Sequence, residues 1–320
     1  MPEQHPLQVA VGVIKNAQDQ VLLSLRHQHV HQGGLWEFPG GKIAADEKVL
    51  QALTRELQEE LDIKIAAATP LITIRHTYAD LSVQLNVLRI DRYSGQPHGR
   101  EGQEIRWVAL NALKTLRFPA ANAPIITAAQ LPDYYAIVDS ATQRASAASA
   151  LVAELLVSLQ HLLNQGIKLI QARLKTLSVT QITQFLQQAI PLCGAFNAHL
   201  LLNSSLPDAL EQAEGVHLTS AALMDLQQRP KHLRWLAASC HSLLQLQHAE
   251  TIGVDFVVLA PVQKTLSHPE ALPLGWQRFA ALVAETNLPV YALGGLHQTD
   301  LEQAKQSGAQ GVAGIRLFLA

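Results

Sequence analysis

An α/β protein of two domains is what this sequence predicts, on three observations. At 320 residues, with 48% hydrophobic and 16% charged side chains, the chain is long enough to bury two separate cores. Residues 1–130 mix strand-like alternation with one strongly amphipathic acidic helix, whereas residues 131–320 repeat a regular strand-then-helix unit. The first pattern predicts a mixed sheet with helices packed on it, and the second a parallel (β/α)8 barrel. A short linker near residues 128–133, containing Leu131-Pro132, joins them.

In chain order, alternation places strands at residues 8–14 and 20–25, joined by the turn Asn16-Ala17-Gln18-Asp19. A loop then leads through Trp36-Glu37-Phe38-Pro39-Gly40-Gly41 into a helical segment, where Leu50, Leu53, Leu57 and Leu61 recur at helical spacing and form an apolar stripe. Further strands are expected at 71–77, 81–90 and 104–110, and a helix at 122–129 closes the first domain. In the second, strands are expected at 134–138, 169–173, 200–203, 215–218, 236–239, 256–260, 290–294 and 311–315, with amphipathic helices between most of them. Eight strands with crossover helices in about 190 residues argue for parallel pairing and closure.

Composition excludes several classes of function. A net charge of −2 with both signs interspersed provides no basic field for a nucleic-acid polymer and no polybasic membrane patch. Two cysteines, Cys193 and Cys240, are too few for a disulfide framework, and the start lacks a basic segment followed by an apolar one. No run reaches about 18 uninterrupted apolar residues. A cytoplasmic protein acting on small molecules is expected.

The chemistry concentrates on the acidic helix. Glu56, Glu59 and Glu60 stand at i, i+3 and i+4, so three carboxylates share one face and repel unless a cation sits between them. Oxygen-only ligands suit Mg2+ or Mn2+, and Mg2+ takes substrate phosphates as further ligands. A metal-bridged phosphate substrate follows.

Gly41, Glu47, Arg55-Glu56-Leu57, Glu59-Glu60 and Ile63 together resemble the Nudix box. The pattern has glycine where this chain has Asp62, a position just past the helix where a left-handed residue is wanted and which Asp tolerates. Outside the box, Phe38-Pro39-Gly40-Gly41-Lys42-Ile43, Gly99-Arg100-Glu101-Gly102-Gln103 and Phe118-Pro119-Ala120-Ala121-Asn122 resemble the MutT type, so that the likeness runs from Leu7 to about Gln130. The resemblance implies an α/β/α sandwich and hydrolysis of 8-oxo-dGTP to monophosphate and pyrophosphate, which cleanses the nucleotide pool. It implies that Glu56, Glu59, Glu60 and the carbonyl of Gly41 hold metal, with Glu101 a further ligand or a base, and that Glu47 pairs with Arg55 to brace the helix. Glu56 and Glu101 are the two candidates for taking the proton from water. Arg26 and Phe38 match positions lining the nucleotide pocket. Asn122, whose amide both donates and accepts, matches the base-selecting position.

The second half is similar to the thiamine-phosphate synthase family over residues 133–318, which implies a TIM barrel. Gln171-Ala172-Arg173-Leu174-Lys175 fits that family's Gln-x-Arg-x-Lys at a strand's carboxyl end, and Gly294-Gly295 fits its phosphate-binding turn. Both family magnesium carboxylates are missing, because the chain reads Asn203-Ser204 and later Thr219-Ser220-Ala221-Ala222 after Gly215-Val216-His217-Leu218. The Thr-x-Thr-Lys loop is scrambled as Lys264-Thr265-Leu266-Ser267. A phosphate-binding module that has lost synthesis is therefore expected, with a ligand sensor, an altered enzyme and a dimerising partner as open alternatives; for the whole chain the alternative is a bifunctional or thiamine-pathway enzyme, either a thiamine-phosphate synthase or a thiamine-related pyrophosphatase. Gln171, Arg173 and Lys175 also fit plain strand-end ion-pair formers. Two constellations are set aside. His27, His29 and His31 lack an accompanying carboxylate or cysteine, and Cys240 and His241 are strand neighbours pointing to opposite faces.

Overall fold

Strand β1 (Leu7–Ile14) shows how the first unit is organised, because its alternation feeds two cores. Ala10 and Ile14 face one helix and Val11 and Val13 face the other side. The computed structural model describes residues 6–143, 148–206, 213–265, 270 and 272–318. The first five residues, on which the expectation of no leader bears, and Leu266 and Ser267 of the scrambled loop lie outside the described residues. The chain divides into two units, Met1–Gln130 and Leu131–Ala320.

After β1 come β2 (Gln20–Leu25), β3 (Trp36–Glu37), β4 (Gly40–Lys42), α1 (Val49–Leu61), β5 (Lys64–Thr77), β6 (Ser82–Ser94), β7 (Ile105–Ala109) and α2 (Ala123–Gln130). They form two sheets. One is mixed, in the order β4-β1-β6-β5, with β1 parallel to β6 and the other pairs antiparallel; the second is β3-β2-β7, all antiparallel. Helix α1 buries Leu53, Leu57 and Leu61 completely against Ala10, Ile14, Leu22, Ile63 and Ile90. Each such leucine contributes about 2 kcal/mol of transfer free energy. The stripe differs from the sequence expectation at one place: Leu50 is 47% exposed and Ala52 is buried. Side chains tilt toward a helix N-terminus, so a first-turn residue projects past the packed stretch. Asp62 ends α1 in the left-handed conformation, φ 57° and ψ 36°, with its N–H donating to the Leu57 carbonyl. Strand β5 starts seven residues earlier than the pattern suggested, at Lys64 rather than 71, because the Ala-rich stretch before Leu71 pairs with β6 through register shifts that erase its alternation.

The second unit is a closed barrel of eight parallel strands. They are β8 (Tyr134–Asp139), β9 (Leu169–Arg173), β10 (His199–Asn203), β11 (Gly215–Leu218), β12 (Trp235–Cys240), β13 (Phe256–Leu259), β14 (Val290–Leu293) and β15 (Gly311–Gly314). Helices α3 (Ala148–Asn164), α4 (Val179–Ala195), α5 (Ser220–Asp225), α6 (Leu243–Thr251), α7 (Gly275–Val283) and α8 (Leu301–Gln306) occur in the connections. The strands are apolar on both faces, as parallel strands must be. Tyr135, Leu169, Leu201, Trp235, Phe256 and Tyr291 fill the interior, while Ile170, Ala172, Leu200 and Leu202 meet α3 and α4 outside. Among the described residues no helix is long and apolar enough to cross a membrane.

Inside the barrel, His217 lies between the Tyr135 hydroxyl, 3.0 Å from Nδ1, and the Ser239 hydroxyl, 2.8 Å from Nε2. Burial pushes its pKa from 6.5 down to about 3. The unfolded chain accepts a proton below about pH 6.5 that the folded barrel refuses, so the contribution is complete above that pH and is lost as pH falls from there toward 3. Stability measured by urea titration of the full chain should drop between pH 7 and pH 4, and His217→Gln should flatten that dependence.

Candidate functional site

The acidic face of α1 lies against the β4 turn, where two glycines set the approach. Gly40 has φ 149°, and a Cβ there would sit 2.1 Å from the Ala10 carbonyl oxygen. At Gly41 a Cβ would lie 2.1 Å from the Glu56 carboxyl carbon. The carboxylate of Glu56 therefore occupies the space that glycine vacates.

Arg55 braces this face. Its Nε and Nη2 donate to the two oxygens of Glu47 at 3.1 and 2.9 Å, Nη2 also reaches the Lys42 carbonyl at 3.1 Å, and Nη1 donates to Glu56 at 2.7 Å. The bidentate grip holds Glu47 below the usual carboxylate range. The Gly99–Gln103 loop is tied to the other end of the helix: the Arg100 N–H and Gln103 Nε2 both donate to the Glu60 carbonyl, at 2.9 and 3.0 Å, and Gln103 Oε1 accepts from the Glu101 N–H at 2.9 Å. Glu101 is thereby carried to the acidic face from 41 residues further along the chain.

Glu60 is the centre of the group. Burial, then the charges of Glu37, Glu56 and Glu101, push its carboxyl up to about 8, against a hydrogen bond from the Gly40 backbone that acts the other way. The structure thus joins Glu56, Glu60 and Glu101 with Glu37, a residue the sequence analysis passed over. Its signal was positional, since Trp36 enters the core and the next residue of a strand must face the opposite side. Glu59 differs from the others, being 58% exposed with Arg55 3.5 Å away. Among the described residues no three His, Cys, Asp or Glu side chains already stand at distances that close around an ion. The donor chemistry fits a hard divalent cation: the donors are all oxygens, three carboxylates raise the fourth, and Arg55 pairs with Glu47 and Glu56.

A rim of Phe38, Phe118 and the Ala120–Asn122 turn lies on the opposite side of the mixed sheet from α1. Phe38 is buried and stacks on Phe118 with ring centroids 6.0 Å apart, and Asn122 is 7% exposed at the end of the 3-10 turn Ala120–Asn122, with its N–H donating to the Pro119 carbonyl at 2.9 Å. Arg26 pairs with Glu37 and donates from Nε to the His31 carbonyl at 3.0 Å, so it stands between this rim and the acidic group. The histidine loop does receive a carboxylate after all, because Asp80 of the β5–β6 turn lies 3.2 Å from His31 Nδ1. It comes from 49 residues away, out of reach of a spacing argument.

In the barrel, Leu169, Gln171 and Arg173 alternate onto the inner face of β9. Gln171 is buried and bonds the Tyr135 hydroxyl, while Arg173 pairs at 2.5 Å with Asp139, a 2% exposed residue the sequence analysis missed. Lys175 stands apart, exposed in the following loop. Gly294 and Gly295 have φ 108° and 67°, and a Cβ on Gly295 would lie 2.3 Å from the Lys264 carbonyl oxygen. The Ser204 hydroxyl accepts from the Thr219 N–H at 3.0 Å, and the Thr219 side chain caps α5 at Ala222. Both positions where carboxylates were sought thus serve a local turn. Cys240 is fully buried among barrel and helix side chains, with its thiol pushed up to about 12, whereas His241 is exposed with Nδ1 2.7 Å from the Ala260 carbonyl. They form no couple.

Fold and site together define a hydrolase unit of acidic-helix type followed by a closed parallel barrel. The NUDIX domain family matches residues 10–128 and the thiamine monophosphate synthase family residues 134–318. The first unit is 37% identical over 120 residues to the 8-oxo-dGTP diphosphatase of Escherichia coli (strain K12), spanning 38% of this chain and 93% of that protein. The barrel is 32% identical over 188 residues to the thiamine-phosphate synthase of Herpetosiphon aurantiacus, spanning 58% of this chain and 87% of that protein. A solved structure from work on MutT of Aliivibrio salmonicida and Vibrio cholerae is 32% identical, with 38% of this chain and 94% of that one covered at a TM-score of 0.34. The chain belongs to the Nudix family through its first unit, which is a pyrophosphohydrolase, and to the thiamine monophosphate synthase family through its barrel. Nudix hydrolases generally use divalent metal ions.

Gly41→Ala tests the construction of the site. The new methyl group displaces only the far end of Glu56, so the melting temperature should move little while kcat falls by roughly a hundredfold, the cost of misplacing a reacting group by about 1 Å.

Proposed function

We propose that the first unit hydrolyses oxidised purine nucleoside triphosphates, 8-oxo-dGTP foremost, to the monophosphate and pyrophosphate, and that it thereby removes a mutagenic nucleotide from the pool. The observation that carries this is the gathering of Glu37, Glu56 and Glu101 around the half-buried Glu60 beside a glycine turn, with the half-buried Arg26 linking that group to the Phe38–Asn122 rim. Glu56, Glu59, Glu60, Glu101 and the Gly41 carbonyl would hold the cation, with Mg2+ the first choice and Mn2+ the second. A divalent cation there supplies positive charge against the polyphosphate.

The chain's own residues do the remainder. Arg55 fixes one oxygen of Glu56, so that carboxylate keeps a single orientation. Glu56 and Glu101 both lie near enough to Glu60 to raise its carboxyl, and one of the two would take a proton from the attacking water. Asn122, nearly buried, presents an amide that can donate to and accept from an oxidised guanine edge at once, with Phe38 below the base as an apolar wall.

For the barrel we propose a module that binds a phosphate-bearing ligand and has lost group transfer. Its support is that Ser204 and Ala222 hold turns where the family resemblance calls for magnesium carboxylates, and that Asp139 already neutralises Arg173. Partner copies binding through the barrel belong to the same proposal.

With Mg2+, the purified chain should release pyrophosphate from 8-oxo-dGTP far faster than from dGTP, and Glu56→Gln should lower kcat by about 10³-fold, the range of a lost general base or ligand. Equal rates on the two nucleotides would remove the base-selective part and spare the hydrolase. Incubated with the pyrimidine diphosphate and thiazole phosphate precursors, the same preparation should form no thiamine phosphate, as followed by chromatography.

A further inference from the structure

Tyr78 lies where three separate segments of the rim meet, and none of the roles assigned above uses it. Strand β5 brings it there by alternation: Ile72, Ile74, His76 and Tyr78 follow one another on the face that shares a core with Phe38 and Ala121. Its ring is met edge-on by His76 at 4.4 Å and by His31 at 5.0 Å between centroids. Its hydroxyl accepts the N–H of Ala121, the residue before Asn122, at 3.4 Å. His31 is held in turn by Asp80, two residues beyond Tyr78, at 3.2 Å, and the His31 carbonyl receives Nε of Arg26 at 3.0 Å. The turn itself is closed by the Tyr78 N–H donating to the Leu81 carbonyl at 2.8 Å. One short hairpin therefore touches both the loop that carries Arg26 and the turn that carries Asn122.

We propose that Tyr78, with the His31–Asp80 pair, is a positioning device for base recognition: it fixes the Asn122 turn and the Arg26 loop in one register. The inference rests on the base-selecting role of Asn122. Hydrogen bonding to a base edge is sensitive to small displacements, and a polar group set slightly out of reach loses its discrimination while the phosphate chemistry on the other side of the sheet continues. The hydroxyl of Tyr78 is the only atom that Tyr78→Phe removes, so its ring contacts with His31 and His76 remain. Asp80 is 65% exposed, so Asp80→Ala releases His31 at little risk to folding.

The test is steady-state kinetics of the full chain with Mg2+ on 8-oxo-dGTP and dGTP. In Tyr78→Phe and in Asp80→Ala, KM for 8-oxo-dGTP should rise several-fold while kcat on both substrates and KM for dGTP stay within twofold, so that the ratio of the two kcat/KM values falls by about five- to tenfold. A ratio unchanged in both variants, with the unaltered protein discriminating, would overturn this inference alone, as would an equal fall in kcat on both substrates. Absence of discrimination in the unaltered protein would overturn the Asn122 assignment and this one with it.

Discussion

Repulsion among the carboxylates gathered at Glu60 is the constraint around which the first unit is built. Like charges in a partly desolvated site raise one another's cost of ionisation, and here that cost is imposed by structure: leucines bury one side of α1 completely while the acidic side is pressed onto a turn that only glycines allow. Arg55 relieves part of it. Its fork satisfies Glu47 and one oxygen of Glu56. What remains around Glu60 is negative potential with oxygen donors, a site that favours a cation and disfavours an approaching polyphosphate without one.

The barrel follows the opposite electrostatic rule. Its charged and polar interior groups are already matched: Arg173 with Asp139, His217 between two hydroxyls as the neutral imidazole, and Lys305 with Asp133. A matched interior leaves no charge buried without a partner in these pairs, which is what keeps them tolerable in the barrel. At the loops after β10 and β11 the side chains serve local caps, with Ser204 and Thr219 bonded to backbone N–H groups.

Much of the site was legible because it is local. Arg55 and Glu47 are eight residues apart with Glu47 ahead of the helix, and they were paired, like the place of Gly41, through the family resemblance, whereas Glu56 and Glu60 lie within five residues on one helix. Helical periodicity is enough to place such residues together. Leu50 shows where the same argument fails, since periodicity describes an infinite helix and this one starts at Val49. Early β5 was illegible for a related reason, because its register shifts break the period-two signal on which a strand is recognised.

The sequence by itself determined the element types, the regular alternation that closes a parallel barrel and the acidic face of one helix, because each depends on neighbours a few residues apart along one strand or helix. Only the tertiary structure decided that Glu37 and Glu101 join Glu60, that Asp80 meets His31, and that Asp139 cancels Arg173. Those partners are between 23 and 49 residues apart, and which of many such pairs come together is set by sheet order and loop anchoring, quantities to which no local pattern is sensitive.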